Sequence, residues 1–176
     1  LGVSGERLST RDARRLEPAL APSIRGALWI PDDHQVDNRL LVHALVAACA
    51  RSRRVSVVPD SATAIRAGGG ACEVDTSSGS VVAADAIVLC TGAWSVPVTV
   101  DGDDVALPVR PVKGQILRLQ GVGSAVMPTR TVRGMEVYVI PRPHGEIVVG
   151  ATSEELGYDT RVTAGGVQSL LDRAWE

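Results

Sequence analysis

The chain has 176 residues, with 18 Lys and Arg against 20 Asp and Glu for a formal net charge of −2. Its 45% apolar and 22% charged content excludes a disordered or collagen-like chain, and three cysteines are too few for a disulfide-rich scaffold. A chain of this length buries roughly 70% of its unfolded surface, enough for a core, and a near-neutral balance without a dominant Lys/Arg cluster gives no footprint for nucleic acid or an anionic membrane.

In chain order, Ser9-Thr10-Arg11-Asp12 has the spacing of a helix N-cap followed by an acidic residue near N3, predicting a short helix through Leu16 that Pro18 stops. Gly26 to Pro31 reads as a brief strand and Asp32-Asp33-His34 as a polar loop. From the N-cap candidate Asp37, residues Leu40, Leu41, Ala44, Leu45, Ala48 and Cys49 recur at helical period, and Arg51, Arg53 and Arg54 close the helix at the negative end of its dipole. The period then falls to two. Val55 to Val58, Ala62 to Ala67, Cys72 to Thr76 and Val81 to Ala83 predict a meander, broken at Pro59-Asp60, Gly68-Gly69-Gly70 and Ser77-Ser78-Gly79. Ala86 to Cys90 is apolar throughout, the pattern of a strand buried on both faces. Pro97, Pro108 and Pro111 mark Val96 to Val112 as a connection. Gln115 to Leu119, Val137 to Ile140 and Ile147 to Gly150 predict a second antiparallel sheet, the last two joined across Pro141 to Gly145, and a final helix follows Thr163. The fold class is α+β.

Cys49, Cys72 and Cys90 form no CxxC pair and sit in apolar stretches, so they read as buried thiols of a reducing compartment, and the chain as cytoplasmic. The longest apolar run, Leu40 to Ala50, is interrupted by His43 and falls far short of the ~20 residues a membrane-spanning helix needs. The chain opens on Leu and its last helix meets no stop signal before Glu176, which points to a piece of a longer protein.

Motifs for nucleophilic or metal chemistry are missing: there is no GxSxG, no HExxH and no Cys/His spacing suited to zinc, so no catalytic side chain and no metal ligand is assigned. His34, His43 and His144 stand apart, and His43 reads as a core or partner-facing residue. The adjacent pairs Asp32/Asp33, Asp103/Asp104 and Glu154/Glu155 point apart and read as solvated charge. Gly68-Gly69-Gly70 is a hairpin turn and Gly121-Val122-Gly123 lacks a third glycine, so the dinucleotide fingerprint is absent. Tyr138 reads as a half-buried aromatic of a sheet, and Arg142 as a surface cation in a turn.

Seven segments in order carry a family likeness: Leu8-Ser9 with Glu17-Pro18, Gly26-Ala27-Leu28-Trp29, Gln35-Val36-Asp37, Val88-Leu89-Cys90-Thr91-Gly92-Ala93-Trp94-Ser95, Pro111-Val112-Lys113-Gly114-Gln115, Tyr138-Val139-Ile140-Pro141-Arg142 and Val149-Gly150-Ala151-Thr152-Ser153-Glu154. Together they resemble the FAD-dependent amine oxidoreductases of the D-amino-acid-oxidase type, most closely the glycine oxidases of thiamine biosynthesis. The resemblance implies that FAD takes a hydride from the Cα of a small amine or amino acid, that the imine is hydrolysed by water to a 2-oxo acid, and that oxygen reoxidises the flavin with release of hydrogen peroxide. No protein side chain acts as a strong base in that scheme.

The resemblance also implies roles. The Asp60-Ser61-Ala62 segment, with Ala62 the best-matched position, lies against the adenine end of FAD; Thr91, Gly92 and Trp94 lie along the cofactor where the apolar strand ends. Tyr138 lines the substrate pocket, where its phenol can hold a small carboxylate while the ring limits volume. Ser153 stands where a relative carries a bulkier apolar residue, so the pocket has room for N-methylated or longer amines. The family's GxGxxG and the GLRP-like segment with the arginine that pairs with the substrate carboxylate are both missing, so the isolated chain is expected neither to hold FAD tightly nor to turn over glycine.

Residues 1–36 and 98–165 are accordingly expected to form a substrate-binding lobe, residues 37–97 an inserted part of an FAD-binding α/β lobe, and residues 166–176 the start of a further helix. A buried strand without its partners exposes apolar surface through which the chain could pair with a copy of itself. Other readings are a related sarcosine oxidase, D-amino-acid dehydrogenase or glycerol-3-phosphate dehydrogenase-like enzyme within the same fold, and, in another class, a non-catalytic binding module.

Overall fold

The computed structural model describes residues 4–94, 96–121 and 126–176; Ser95 of the fourth segment and Val122-Gly123 of the rejected glycine motif lie outside them. In chain order the elements are β1 (Glu6–Leu8), α1 (Thr10–Leu16), β2 (Ala27–Trp29), α2 (Asn38–Arg51), β3 (Ala62–Gly68), β4 (Ala71–Thr76), β5 (Val81–Ala84), β6 (Val98–Val100), β7 (Asp103–Asp104), β8 (Ile116–Gln120), β9 (Val132–Arg133), β10 (Tyr138–Pro141), β11 (Glu146–Gly150) and α3 (Ala164–Trp175). They form two compact units: residues up to Asp37 together with Val112–Glu176, and Asn38–Pro111. The fold is α+β with antiparallel and mixed sheets, as the sequence pattern predicts.

In the discontinuous unit, Ser9 caps α1 by accepting the Asp12 N–H at 3.2 Å, and β1 pairs antiparallel with β2. A four-stranded antiparallel sheet runs in the order β8-β11-β10-β9. Thr163 caps α3, its Oγ1 accepting the Gly166 N–H at 3.1 Å, and α3 packs on β8 and β11. Leu170 of α3 is fully buried, and Val148 and Val149 of β11 are buried with it. Two buried polar side chains tie the connections to this frame. Glu17 accepts from Ala19 N at 3.1 Å, Thr129 N at 2.7 Å, Thr129 Oγ1 at 2.9 Å and Arg130 N at 2.9 Å, which docks residues 129–130 to the end of α1. Gln115 accepts from Thr163 N at 2.9 Å and donates to Glu154 at 2.7 Å, so one amide joins the head of β8, the segment after β11 and the cap of α3.

In the other unit a five-stranded sheet runs β5-β4-β3-β6-β7, antiparallel except for the β3–β6 pair. The β3–β4 hairpin turns at Gly69 and Gly70, whose φ values of 60° and 85° favour glycine. Arg66 lies across the hairpin from Glu73 and Asp75, ion-paired to both on an exposed face, and the two carboxylates raise its pKa further.

Several expectations need correction. Residues 96–112 are not a plain connection: Val98–Val100 pairs parallel with β3 and then antiparallel with Asp103–Asp104, which places these residues in the Asn38–Pro111 unit rather than with the discontinuous one. Ala86 to Cys90 is not a buried strand. It pairs with no strand among the described residues, and Val88 is 84% exposed. A strand is a paired state, and apolar composition cannot form one without a neighbour to take its N–H and C=O groups. Val55 to Val58 is likewise unpaired and exposed. Cys49 and Cys90 are exposed and Cys72 is half-buried, because the helix face and the segment that carry the first two are uncovered. The α2 helix forms over the predicted span, yet none of its residues is buried.

Arg142 is not a plain surface cation. It is half-buried, donates to the Val36 carbonyl at 2.9 Å, and lies beside the bond from Gln35 Nε2 to the Pro141 carbonyl at 2.8 Å. The Gln35-Val36-Asp37 and Tyr138-to-Arg142 segments are therefore one structural feature, in which Arg142 clamps the chain leading to α2.

Candidate functional site

The positions expected to meet FAD fall in the Asn38–Pro111 unit. Ala62 opens β3 opposite Thr76, and a bulge separates it from Ala64. The segment before it is fixed by Asp60, whose carboxylate accepts from Ser61 N at 2.8 Å, from Ser78 N at 3.3 Å and Oγ at 2.6 Å, and from the Ser77 hydroxyl. Those hydroxyls, Ser77 foremost, hold the Asp60 carboxyl well below the usual carboxylate range. Ser61 in turn accepts the Ser77 N–H at 2.9 Å. The result is a pinned main chain at Asp60-Ser61-Ala62 with Ala62 exposed, a surface that a ligand can meet through backbone groups.

The second stretch is a turn closed by the Trp94 N–H donating to the Thr91 carbonyl at 3.1 Å. Gly92 sits inside it at φ 59°, and a Cβ built there meets no heavy atom within 4 Å. The left-handed backbone explains the glycine, and the open space beside it leaves the main chain approachable. Thr91 is half-buried and Trp94 is 70% exposed. An exposed indole beside an approachable backbone fits a large planar group, so the residues present are compatible with the flavin cofactor on this side.

Tyr138 and Ser153 lie in the discontinuous unit, and the structure brings them together. Tyr138 heads β10 directly opposite Gly150 of β11. A Cβ on Gly150 would lie 2.6 Å from Tyr138 Cζ and 2.8 Å from Ile116 Cγ2, so the missing side chain at Gly150 is what lets the phenol ring lie across the sheet. Beside the ring is a cavity of about 540 Å³ whose wall includes Tyr138, Gly150, Ala151 and Ser153. The segment bearing Ser153 is held by Thr152, which accepts the Gln115 N–H at 2.8 Å and donates to Glu154 at 2.5 Å, and by Lys113, paired with Glu154 through a β-bridge. Thr152 and Gln115, assisted by Lys113, lower the Glu154 pKa. This network accounts for the Lys113-Gly114-Gln115 motif as a fastening for the wall rather than as chemistry.

Three charged residues in the same wall escaped the sequence reading. Glu136 sits in the tip between β9 and β10, a turn closed by Gly134 N donating to the Val137 carbonyl at 2.7 Å, and Arg173 reaches it from the last turn of α3 at 3.2 Å. Arg133 also borders the cavity, paired with Asp33 at 3.2 Å. Glu136 lies in the turn before β10, outside the alternation that places Tyr138, and the spacing of Arg173 along α3 marks no partner, so the sequence carried a signal for neither. Among the described residues no cluster of His, Cys, Asp and Glu could hold a metal ion, and no helix is long and apolar enough to cross a membrane.

The frame is mixed α+β, with an approachable glycine turn in one unit and a tyrosine-walled cavity in the other. The profile of the DAO family, FAD dependent oxidoreductase, matches residues 1–176, and the chain belongs to that family, whose cofactor is FAD. It is 38% identical over 173 residues to the bifunctional protein ThiO/ThiG of Synechocystis, covering 95% of this chain and 25% of that protein. It is 31% identical over 175 residues to the glycine oxidase of Geobacillus kaustophilus, covering 99% of this chain and 46% of that one. The crystal structure of glycine oxidase from Geobacillus kaustophilus superposes with a TM-score of 0.82, over 98% of this chain and 46% of that chain. The chain thus spans between a quarter and a half of the length of these relatives.

Proposed function

We propose that this chain forms the substrate-pocket wall and part of the cofactor surface of an oxidase that converts glycine or a similar small amine to its imine and 2-oxo acid with release of hydrogen peroxide. The observation that carries this reading is the meeting of Tyr138 and Ser153, from separate segments, in one cavity. Likeness to glycine oxidases supports the CH–NH2 substrate class, and likeness to ThiO/ThiG supports a place in thiamine biosynthesis.

FAD supplies hydride acceptance when bound. The chain's own residues do the positioning: the Tyr138 phenol donates to the substrate carboxylate, and its ring caps the space available to the Cα substituent. Ser153 leaves volume beside it for an N-methyl group or a longer amine. Ala62 and the Thr91-Gly92 turn offer backbone to the cofactor, with Trp94 against it. In this reading the unit of Leu1–Asp37 with Val112–Glu176 serves the substrate and the unit Asn38–Pro111 the flavin.

Peroxide release from glycine, measured on flavin-loaded protein carrying this chain, tests the reading. Tyr138→Phe is expected to raise KM roughly tenfold, the worth of one hydrogen bond to a charged group. Kinetics unchanged by that substitution would remove Tyr138 from the pocket.

A further inference from the structure

A second cavity of the discontinuous unit, about 640 Å³ in volume, lies between the β1–β2 ribbon, α1 and β9. It shares only Arg133 and Gly134 with the Tyr138–Ser153 cavity, and its volume falls within the range of small-molecule sites, about 300–1,000 Å³. The wall is mostly apolar, built from Leu16, Leu20, Ile24, Leu28, Trp29 and Val132, and Leu28 is left 59% exposed. Among its charged side chains, Asp33 and Arg133 pair with each other at 3.2 Å, and the buried Glu17 carboxylate is met by four donors. Arg130 is the exception. It is half-buried, and no carboxylate among the described residues pairs with it. Its Nη1 donates to the Leu16 carbonyl and to Thr129 Oγ1 at 2.9 Å, and its guanidinium lies over the Trp29 ring, 5.8 Å from the centroid. Nε and Nη2 donate to no described residue. One nitrogen therefore fastens the end of α1, while the positive charge meets only dipoles and a ring face.

We propose that this cavity is a binding site for a monocarboxylate with an apolar body, Arg130 taking the carboxylate and the apolar wall the rest. The free part of a guanidinium fork matches a carboxylate, and such charge-assisted bonds are the strong ones. A single unpaired cation suits a single negative charge: a phosphate dianion would set its second charge against Glu17 and Asp33 in the same wall. A neutral apolar molecule would cover the wall and leave the cation without its counter-charge, and a short carboxylate would pair with the cation and leave the wall wet. The site is separate from the one proposed for the small amine and does not depend on it.

The test is an NMR titration of the 15N-labelled chain with octanoate, octanamide and acetate, following the indole N–H of Trp29. Octanoate is expected to shift that resonance and to bind about tenfold more tightly than octanamide, the worth of one hydrogen bond to a charged group. Acetate at the same concentrations should leave it unmoved. Arg130→Gln should bring octanoate down to the affinity of octanamide and spare octanamide itself, and Arg130→Lys, which keeps the charge, should restore part of the difference. If Arg130 were only a fastening for α1, its loss would weaken both ligands alike, and that outcome overturns the proposal. Equal affinity of the unaltered chain for octanoate and octanamide overturns it too, a comparison that decides even where the variant unfolds. Shifts at the indoles of Trp94 or Trp175 with Trp29 unmoved would place the ligand on another exposed apolar surface and leave this cavity as a packing surface.

Discussion

Gly150 shows how a single missing side chain can shape a site. It is buried in β11, paired with Tyr138, and flanked by Ile116 on the other side. The nearest atoms to its absent Cβ belong to the Tyr138 and Ile116 side chains, so substituting Ala sets the methyl against the phenol and the isoleucine at once. Overpacking of this kind costs about 1–3 kcal/mol. Gly150→Ala should lower the thermal midpoint accordingly and displace the Tyr138 ring, seen as a shift of its ring resonances. A variant with wild-type stability and unmoved Tyr138 resonances would contradict the packing described. Nothing in the sequence marks this role, because a glycine ending a strand is ordinarily a turn residue, and only the cross-strand register turns it into the floor beneath a phenol.

At the scale of elements, local signals were legible and coverage was not. Ser9 and Thr163 cap their helices as their residue types predict, and both hairpins of the meander form between the glycine and serine breaks. The α2 stripe has the right period, but periodicity states which residues share a face and is silent on whether anything lies against it. Leu40, Leu41, Leu45 and Val46 are between 45% and 65% exposed. Leu45→Glu exchanges one good helix former for another on a wet surface. It should therefore change the unfolding free energy of this chain by no more than about 0.5 kcal/mol; a loss well above 1 kcal/mol in a denaturant titration would mean that the face is covered in solution. The same distinction separates Ala86 to Cys90, apolar and unpaired, from β11, apolar and buried between β8 and β10. The Tyr138–Ser153 wall was legible only through family resemblance, since alternation along a strand names a face but not the loop that crosses it.

For the whole molecule, the distribution of cofactor contacts decides what the chain can do alone. Holding FAD requires the pyrophosphate to be neutralised, and the usual device is a glycine-rich strand-to-helix turn with main-chain N–H groups at a helix N-terminus. The sequence has no GxGxxG. Of its glycine turns, Gly69-Gly70 and Gly79 join antiparallel strands and open no helix. In the proposed reading Ala62, Thr91, Gly92 and Trp94 would offer backbone and an indole to adenine and ring surfaces, and there is no cation among them to meet a diphosphate. Apolar and stacking contacts without charge neutralisation give weak, rapidly exchanging binding, so the 176-residue chain mixed with FAD should lose the visible flavin band on desalting and release no peroxide from glycine. Co-elution of a stoichiometric yellow complex would show that these four positions, with the pinned Asp60 segment, suffice to hold the cofactor, and would transfer to this chain alone the activity proposed for the longer enzyme.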